Sequence, residues 1–345
     1  RHLTGVKTIA AAEFTEPDFS APPSDGADFS EIKGQERARR AMEIAAAGGH
    51  NILMVGPPGT GKSMLAKRLP TIMPRMSFEE SVEVTKIHSA SGTLDSESGL
   101  VTVRPFRSPH HTMSAPALVG GGAIPMPGEI SLASGGVLFL DELPEFNKAV
   151  TESMRQPLED GQVTITRAAG RVTYPSRFML VCAMNPCRCG YYGSGIRECT
   201  CRREDIKKYL SKISGPLLDR IDIQVELPAL SFDELTREEK SESSAQIRAR
   251  VEDARSLAVR RMGSASACNA AMTRSEIREF CAVGDASLRL LKTAFEKMNL
   301  SARGYDRVLR VARTVADLAH SESIEPQHVA EAIQLRSLDK KYFGI

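Results

Sequence analysis

The sequence predicts an α/β domain built on a buried parallel sheet, followed by a helical bundle. Three observations predict it. Short apolar runs such as Ile52–Val55 and Val137–Leu140 alternate with helical periods as far as about residue 231. The first run feeds directly into Gly56-Pro57-Pro58-Gly59-Thr60-Gly61-Lys62-Ser63, a G-x-x-x-x-G-K-[ST] loop. After Ser231 the strand signals stop and only helical segments follow.

Taken in order, residues 1–30 read as a linker, because Pro17, Pro22, Pro23 and Gly26 break any period and apolar content is thin. Residues 31–231 form the α/β nucleotide-binding domain. Gly34–Ala47 is a helix ended by Gly48-Gly49, and Asn51–Val55 is a strand. Ser63–Leu69 is the helix after the loop, closed by Pro70. Ser89–Gly128 is a long polar, glycine-rich stretch, Val137–Leu140 the second parallel strand and Lys148–Glu159 a helix. Val163–Thr166 and Val172–Tyr174 alternate about Arg167–Arg171 and read as a β-hairpin. Phe178–Met184 and Ile221–Leu227 are further strands. Residues 232–345 form the second domain, with helices over Asp233–Leu257, Arg274–Cys281, Ala286–Met298, Ala302–Ala319 and Pro326–Leu335.

The 345 residues suffice for two domains, and 41% apolar with 26% charged residues is an ordinary soluble composition. The net charge of +2 announces no polyanionic partner. Between Gln162 and Arg220, however, eleven Lys and Arg stand against four Asp and Glu, either a solvated face or a phosphate-binding one. No apolar run approaches a membrane helix and no secretory leader opens the chain, which begins at Arg1 and reads as a fragment. Four of the seven cysteines crowd between Cys187 and Cys201, unlike an extracellular disulfide framework, so a reducing cytoplasm is expected.

The chemistry starts at the loop. Its glycines let backbone N–H groups turn toward phosphate oxygens, and the following helix aims its positive end at them. Gly56 to Ser63, with the adjacent Met64, would hold ATP, with Lys62 on the β/γ-phosphates and the Ser63 hydroxyl on Mg²⁺. About eighty residues on, the apolar strand Val137–Leu140 ends in Asp141 and Glu142. Asp141 suits the Mg²⁺ shell and Glu142 suits polarising the attacking water. Asn185, directly after the next buried strand, can orient that water or simply end the strand. Arg220 could neutralise transition-state charge across a subunit boundary, or pair with Asp219 or Asp222. Arg303, Arg307 and Arg310 share one helix stripe beside Val308, Val311, Val315 and Leu318. Arg303 is the one expected to touch a phosphate, the others forming a solvated basic face.

Cys187-x-Cys189 and Cys199-x-Cys201 could close a tetrahedral Zn²⁺ site, or remain reduced thiols or a labile disulfide. In the insert, Arg104-Pro105-Phe106-Arg107-Ser108-Pro109-His110-His111 mixes basic and aromatic residues, as loops gripping a nucleic-acid backbone do; the histidines have no further ligand at metal spacing. Arg104, Arg107, and Arg167 and Arg171 of the hairpin are the expected DNA contacts.

Assembled, these residues resemble the AAA+ ATPases, and among them the branch with an extra hairpin before the Asn185 strand, which includes magnesium chelatases and MCM helicases. Arg104–Thr112, Gly120–Gly122, Pro127–Ala133, Asp141–Phe146, the cysteine cluster and Ser214–Asp222 look like the ComM/YifB family, often labelled magnesium chelatase-like. The resemblance covers nearly all of residues 30–340. It implies an AAA+ P-loop NTPase, a three-layer αβα core with a C-terminal helical lid, working as a hexameric ring. Lys62, Ser63, Asp141, Glu142 and Asn185 would form the cis half of the ATP site. Arg220 would be the finger, and Arg303 a sensor arginine also acting in trans. The hairpin and the insert would face the central channel. The family is known for a DNA helicase promoting branch migration during natural transformation. It also carries an N-terminal Lon-protease-like domain, absent here, with Arg1 near where that domain would end. The family usually reads Asn-Pro-Cys-Pro-Cys-Gly at the cluster; Arg188 stands here for the second proline, which should preserve ligation and add a basic contact. A motor that remodels a protein partner, of chelatase or unfoldase type, is the alternative.

Overall fold

The computed structural model describes Phe19 and residues 26–94, 99–167, 170–236, 241–298 and 300–344. Most of the expected linker lies outside these residues, but its end is folded. Asp28 caps the single turn Phe29–Glu31 and accepts from Ser244 N, while Phe29 is fully buried. The α/β domain therefore begins at about Asp28.

Helix α1 (Glu36–Gly48) ends in left-handed Gly49, where a missing Cβ makes the turn cheap, and leads to β1 (Ile52–Val55). Then come α2 (Lys62–Ile72) and α3 (Phe78–Ala90). The insert folds as β2 (Phe106–Arg107), α4 (Ala115–Val119), the small pair β3 (Gly120–Gly121) and β4 (Met126–Pro127), and α5 (Glu129–Leu132). β5 (Val137–Leu140) precedes α6 (Lys148–Ser153) and α7 (Arg155–Asp160). The hairpin is β6 (Gln162–Arg167) and β7 (Gly170–Pro175), and β8 (Met179–Met184) follows. α8 (Arg203–Leu210), α9 (Gly215–Leu218) and β9 (Ile223–Glu226) complete the domain. The second domain holds α10 (Phe232–Thr236), α11 (Ser244–Met262), α12 (Arg274–Phe280), α13 (Asp285–Met298), α14 (Ala302–Leu318) and α15 (Pro326–Gln334).

The sheet is parallel, in the order β2-β5-β8-β1-β9. Both faces are covered, which is why its strands read as unbroken apolar runs. Ile52, Met54, Val137, Phe139, Val181 and Ala183 pack into one core with α1, α2, α11 and α14. Leu53, Val55, Leu138, Leu140, Leu180 and Cys182 pack into the other, against α4 to α9. This is the expected three-layer αβα core. The helical domain docks on its first face through Val308, Val311 and Val315 of α14.

Some elements differ from expectation, each for a local reason. Pro70 does not close α2, which runs to Ile72 because Leu69 and Ile72 are fully buried and that gain outweighs one lost hydrogen bond. The expected helix 148–159 breaks at Met154, since Pro157 has no N–H for the Ser153 carbonyl. The expected helix 233–257 is interrupted before Ser244, where Ser243 and Gln246 form a capping box that starts a new helix; residues 237–240 lie outside the described ones. Helix α3 was not expected, although Ser77 and Glu80 carry the same capping signal at its start.

Candidate active site

Three strands deliver the phosphate-loop chemistry to one edge. β5, β8 and β1 are neighbours, so Asp141-Glu142, Asn185 and the loop after β1 all emerge at the carboxyl ends of adjacent strands, the usual ligand crevice of such sheets. Gly59 and Gly61 adopt left-handed conformations (φ +79° and +87°) with open space where a Cβ would stand, leaving a cradle lined by backbone. Gly56 is needed for another reason: a Cβ there would lie 2.4 Å from the Leu227 carbonyl oxygen. Lys62 Nζ donates to Gly56 O and Pro57 O at 2.8 Å and to Asn185 Oδ1 at 3.1 Å. Burial pushes its pKa down to about 8, with the Asp141 and Glu142 carboxylates opposing the fall. Ser63 Oγ donates to Asp141 Oδ2 at 2.7 Å, joining the two expected Mg²⁺ ligands. Met64, exposed on the first turn of α2, flanks the loop. The residues fit a Mg²⁺-nucleotide: a backbone cradle, an ammonium above it, and a hydroxyl–carboxylate pair for the ion.

Glu142 joins this cluster through its N–H, which donates to Asp141 Oδ1 at 3.0 Å, while its side chain points away from it. It holds a left-handed conformation (φ 52°), uncommon for a residue with a Cβ and frequent at functional sites, and its carboxylate is exposed. His111 Nδ1 lies 3.8 Å from Glu142 Oε2. No local spacing could reveal this partner, which comes from the insert.

The expected arginines occupy the opposite edge. A cleft of ≈ 1050 Å³ opens at the amino ends of the strands, where Asn51, Gly136, Phe178 and Asp222 line it together with Arg220 and Arg303. The strands separate it from the chain's own phosphate loop by about 13 Å, four residues of extended chain. Arg220 donates to Arg155 O (3.2 Å), Pro216 O (2.7 Å) and Glu159. Arg303 is exposed, and its Nη2 lies 3.8 Å from the same Glu159 carboxylate. The stripe on α14 is not a solvated face: Arg307 is buried against Asp222 (3.4 Å) and Asp219 (3.8 Å), and Arg310 donates to Met272 O. Arg307 thus takes the aspartates that Arg220 could have paired with. The Asp222 carboxyl stays below its usual pKa range, because His50, Arg307 and Arg310 outweigh the burial that would raise it.

The expected DNA contacts divide. Arg104 is mostly buried at the wall of the amino-end cleft: its guanidinium donates to Pro74 O, Arg75 O, Gly135 O and Glu80, and holds the insert to the core. Arg107 makes a two-pronged bond to Glu129 (2.6 and 2.7 Å). Arg167 and Arg171 are exposed beside the hairpin tip, whose residues 168–169 lie outside the described ones. The insert abuts this hairpin: Ile165 crowds Gly120, and Tyr174 OH donates to Pro125 O at 2.9 Å.

All seven cysteines are unbridged. The sulfurs of Cys187, Cys189, Cys199 and Cys201 lie within 4.8 Å of one another, three of the pairs at 3.3 to 3.7 Å. A tetrahedral Zn²⁺ with bonds of ~2.3 Å sets its sulfurs about 3.8 Å apart, so the cluster has the size and donor set for a metal ion. Among the described helices, none is long and apolar enough to cross a membrane.

A parallel sheet in this order, a phosphate loop facing an acidic strand end, and a helical lid define an AAA+ P-loop chain of the α/β class. The family model for magnesium chelatase, subunit ChlI, matches residues 28–235, and that for its C-terminal part matches 241–336. The chain is 44% identical over 321 residues to the uncharacterized protein YifB of Salmonella typhimurium, covering 93% of this chain and 62% of that protein. It is 45% identical over 313 residues to competence protein ComM of Haemophilus influenzae (90% and 60%), and 44% over 314 to YifB of Escherichia coli (91% and 61%). The chain belongs to the magnesium chelatase-like ComM/YifB family, and it spans about six-tenths of the length of these relatives.

Proposed function

We propose that this chain is the ATPase core of a ring-forming DNA motor, a helicase or branch-migration translocase of recombination, working in the cytoplasm. ATP with Mg²⁺ binds the loop Gly56–Ser63, Lys62 meets the β/γ-phosphates, and Ser63 and Asp141 hold the ion. Glu142 polarises the attacking water and Asn185 orients it. The observation that carries the reading is the split of the site between two edges: Lys62, Asp141 and Asn185 at one, Arg220 and Arg303 at the other, too far apart to serve one nucleotide within one chain. A neighbouring copy in a ring, hexameric by family resemblance, brings them together. Arg167 and Arg171 would then follow a DNA backbone through the channel as each interface closes and opens. That a relative is named a competence protein agrees with a substrate of incoming DNA. The four cysteines hold Zn²⁺ in this reading.

The test is ATP hydrolysis with and without single-stranded and branched DNA across a salt series. DNA stimulation that fades as salt rises supports the motor, because phosphate contacts release counterions. An active ATPase indifferent to DNA but stimulated by a protein partner would replace the reading with a chelatase-type or unfoldase-type remodeller.

A further inference from the structure

The cysteine loop is built against the phosphate loop. It begins two residues after Asn185, which accepts from Lys62 Nζ, and just before it Met184 O accepts from Gly56 N at 3.2 Å. From Cys187 the chain folds back in a tight turn, with Gly190 N donating to Cys187 O at 3.0 Å and Gly190 left-handed at φ +87°. That turn lays Gly190 flat on Pro58: a Cβ at position 190 would stand 2.5 Å from the Pro58 ring. On its far side, Tyr192 meets Tyr342 edge-on at 6.4 Å, and Tyr342 OH donates to Glu226 Oε1 at 2.7 Å. The loop is thus wedged between the phosphate loop and Tyr342.

The Cys187 sulfur lies 3.3 Å from that of Cys189 and 3.7 Å from that of Cys199, and Cys187 is fully buried, anchoring the cluster in the core beneath the loop.

We infer that the ion held by these four cysteines positions the nucleotide site, pressing Gly190 onto Pro58 and fixing the strand end that carries Asn185. The inference rests on the zinc reading given above. Binding exchanges the sulfur-bound protons for four Zn–S bonds with no change of oxidation state. The cluster acts through the shape of the Gly56–Ser63 loop, by way of the Gly190–Pro58 contact.

The experiment uses the whole chain purified under reducing conditions, with zinc measured by elemental analysis. A fluorescent ADP analogue then reports affinity before and after a high-affinity zinc chelator, with hydrogen exchange followed over residues 56–63. The expected result is about one zinc per chain, roughly tenfold weaker nucleotide binding and faster exchange in the loop after stripping, and recovery when zinc returns. Gly190→Ala, which leaves all four sulfurs in place, should keep zinc yet weaken nucleotide binding by a similar factor. Absence of zinc from freshly reduced protein overturns the metal site itself. Zinc that is present, with nucleotide affinity unmoved both by stripping and by Gly190→Ala, overturns the positioning role and leaves the site standing.

Discussion

At the carboxyl edge of the sheet, side chains are locked by contacts to their own loop and strand ends: Lys62 by Gly56, Pro57 and Asn185, Ser63 by Asp141. At the amino edge, Arg220 donates to the Arg155 and Pro216 carbonyls and shares the exposed carboxylate of Glu159 with the exposed Arg303. The first region is a nearly finished half-site whose parts hold one another. The second keeps its cations near an anion that a phosphate could displace. A phosphate would compete with Glu159 for both arginines, while the Arg155 and Pro216 carbonyls keep Arg220 in place. In the proposed reading, the first half binds nucleotide by itself and the second acts on a neighbouring chain's nucleotide.

The comparison breaks most visibly through turnover. Arg220→Ala should lower ATP hydrolysis by ~10³-fold or more while leaving nucleotide affinity of the isolated chain near its original value, checked by steady-state kinetics and by equilibrium binding. Glu142→Gln should lower hydrolysis by ~10²- to 10⁴-fold and still bind ATP. Near-normal turnover would remove Glu142 from the water-polarising role. Arg167→Ala combined with Arg171→Ala should weaken DNA binding and flatten the dependence of log affinity on log salt by about one unit per lost phosphate contact. Unchanged DNA affinity would leave the hairpin structural.

Two smaller effects sharpen the contrast between the edges. The Lys62 pKa near 8 means that its ammonium begins to lose its proton in mildly alkaline solution. Phosphate favours the protonated form, so nucleotide affinity should hold below pH 8 and fall above it, by at most about tenfold per unit; calorimetry in buffers of different ionisation enthalpy should register proton uptake on binding. On the other edge, Arg307→Ala leaves the buried Asp222 carboxylate without its 3.4 Å partner and should cost ~3 kcal/mol in denaturant unfolding. Glu159→Gln, on an exposed residue, should change stability by under about 1 kcal/mol.

Legibility followed the range of the interactions. The phosphate loop, Asp141-Glu142, Asn185 and the hairpin are local patterns, and their strands fell where the apolar runs stood, because a strand covered on both faces has one readable composition. Arg104 and Arg107 looked alike in a basic loop, yet their partners Gly135, Glu80 and Glu129 come from elements the loop's own sequence does not name. The same holds for Arg307 with Asp222, and for His111 beside Glu142, thirty-one residues apart. Pro157 and the Ser77–Glu80 cap were readable signals, and they mark the helix break and α3 that the periodicity alone passed over.

The central claim is that one chain's phosphate loop works with another chain's arginines. The direct test mixes two inactive variants, Lys62→Ala and Arg220→Ala, and follows ATP hydrolysis as their ratio is varied. Each variant should be inactive alone and mixtures should regain activity, since some interfaces then pair an intact loop with an intact Arg220. Mixtures that stay inactive at every ratio, although the chains assemble, would contradict it.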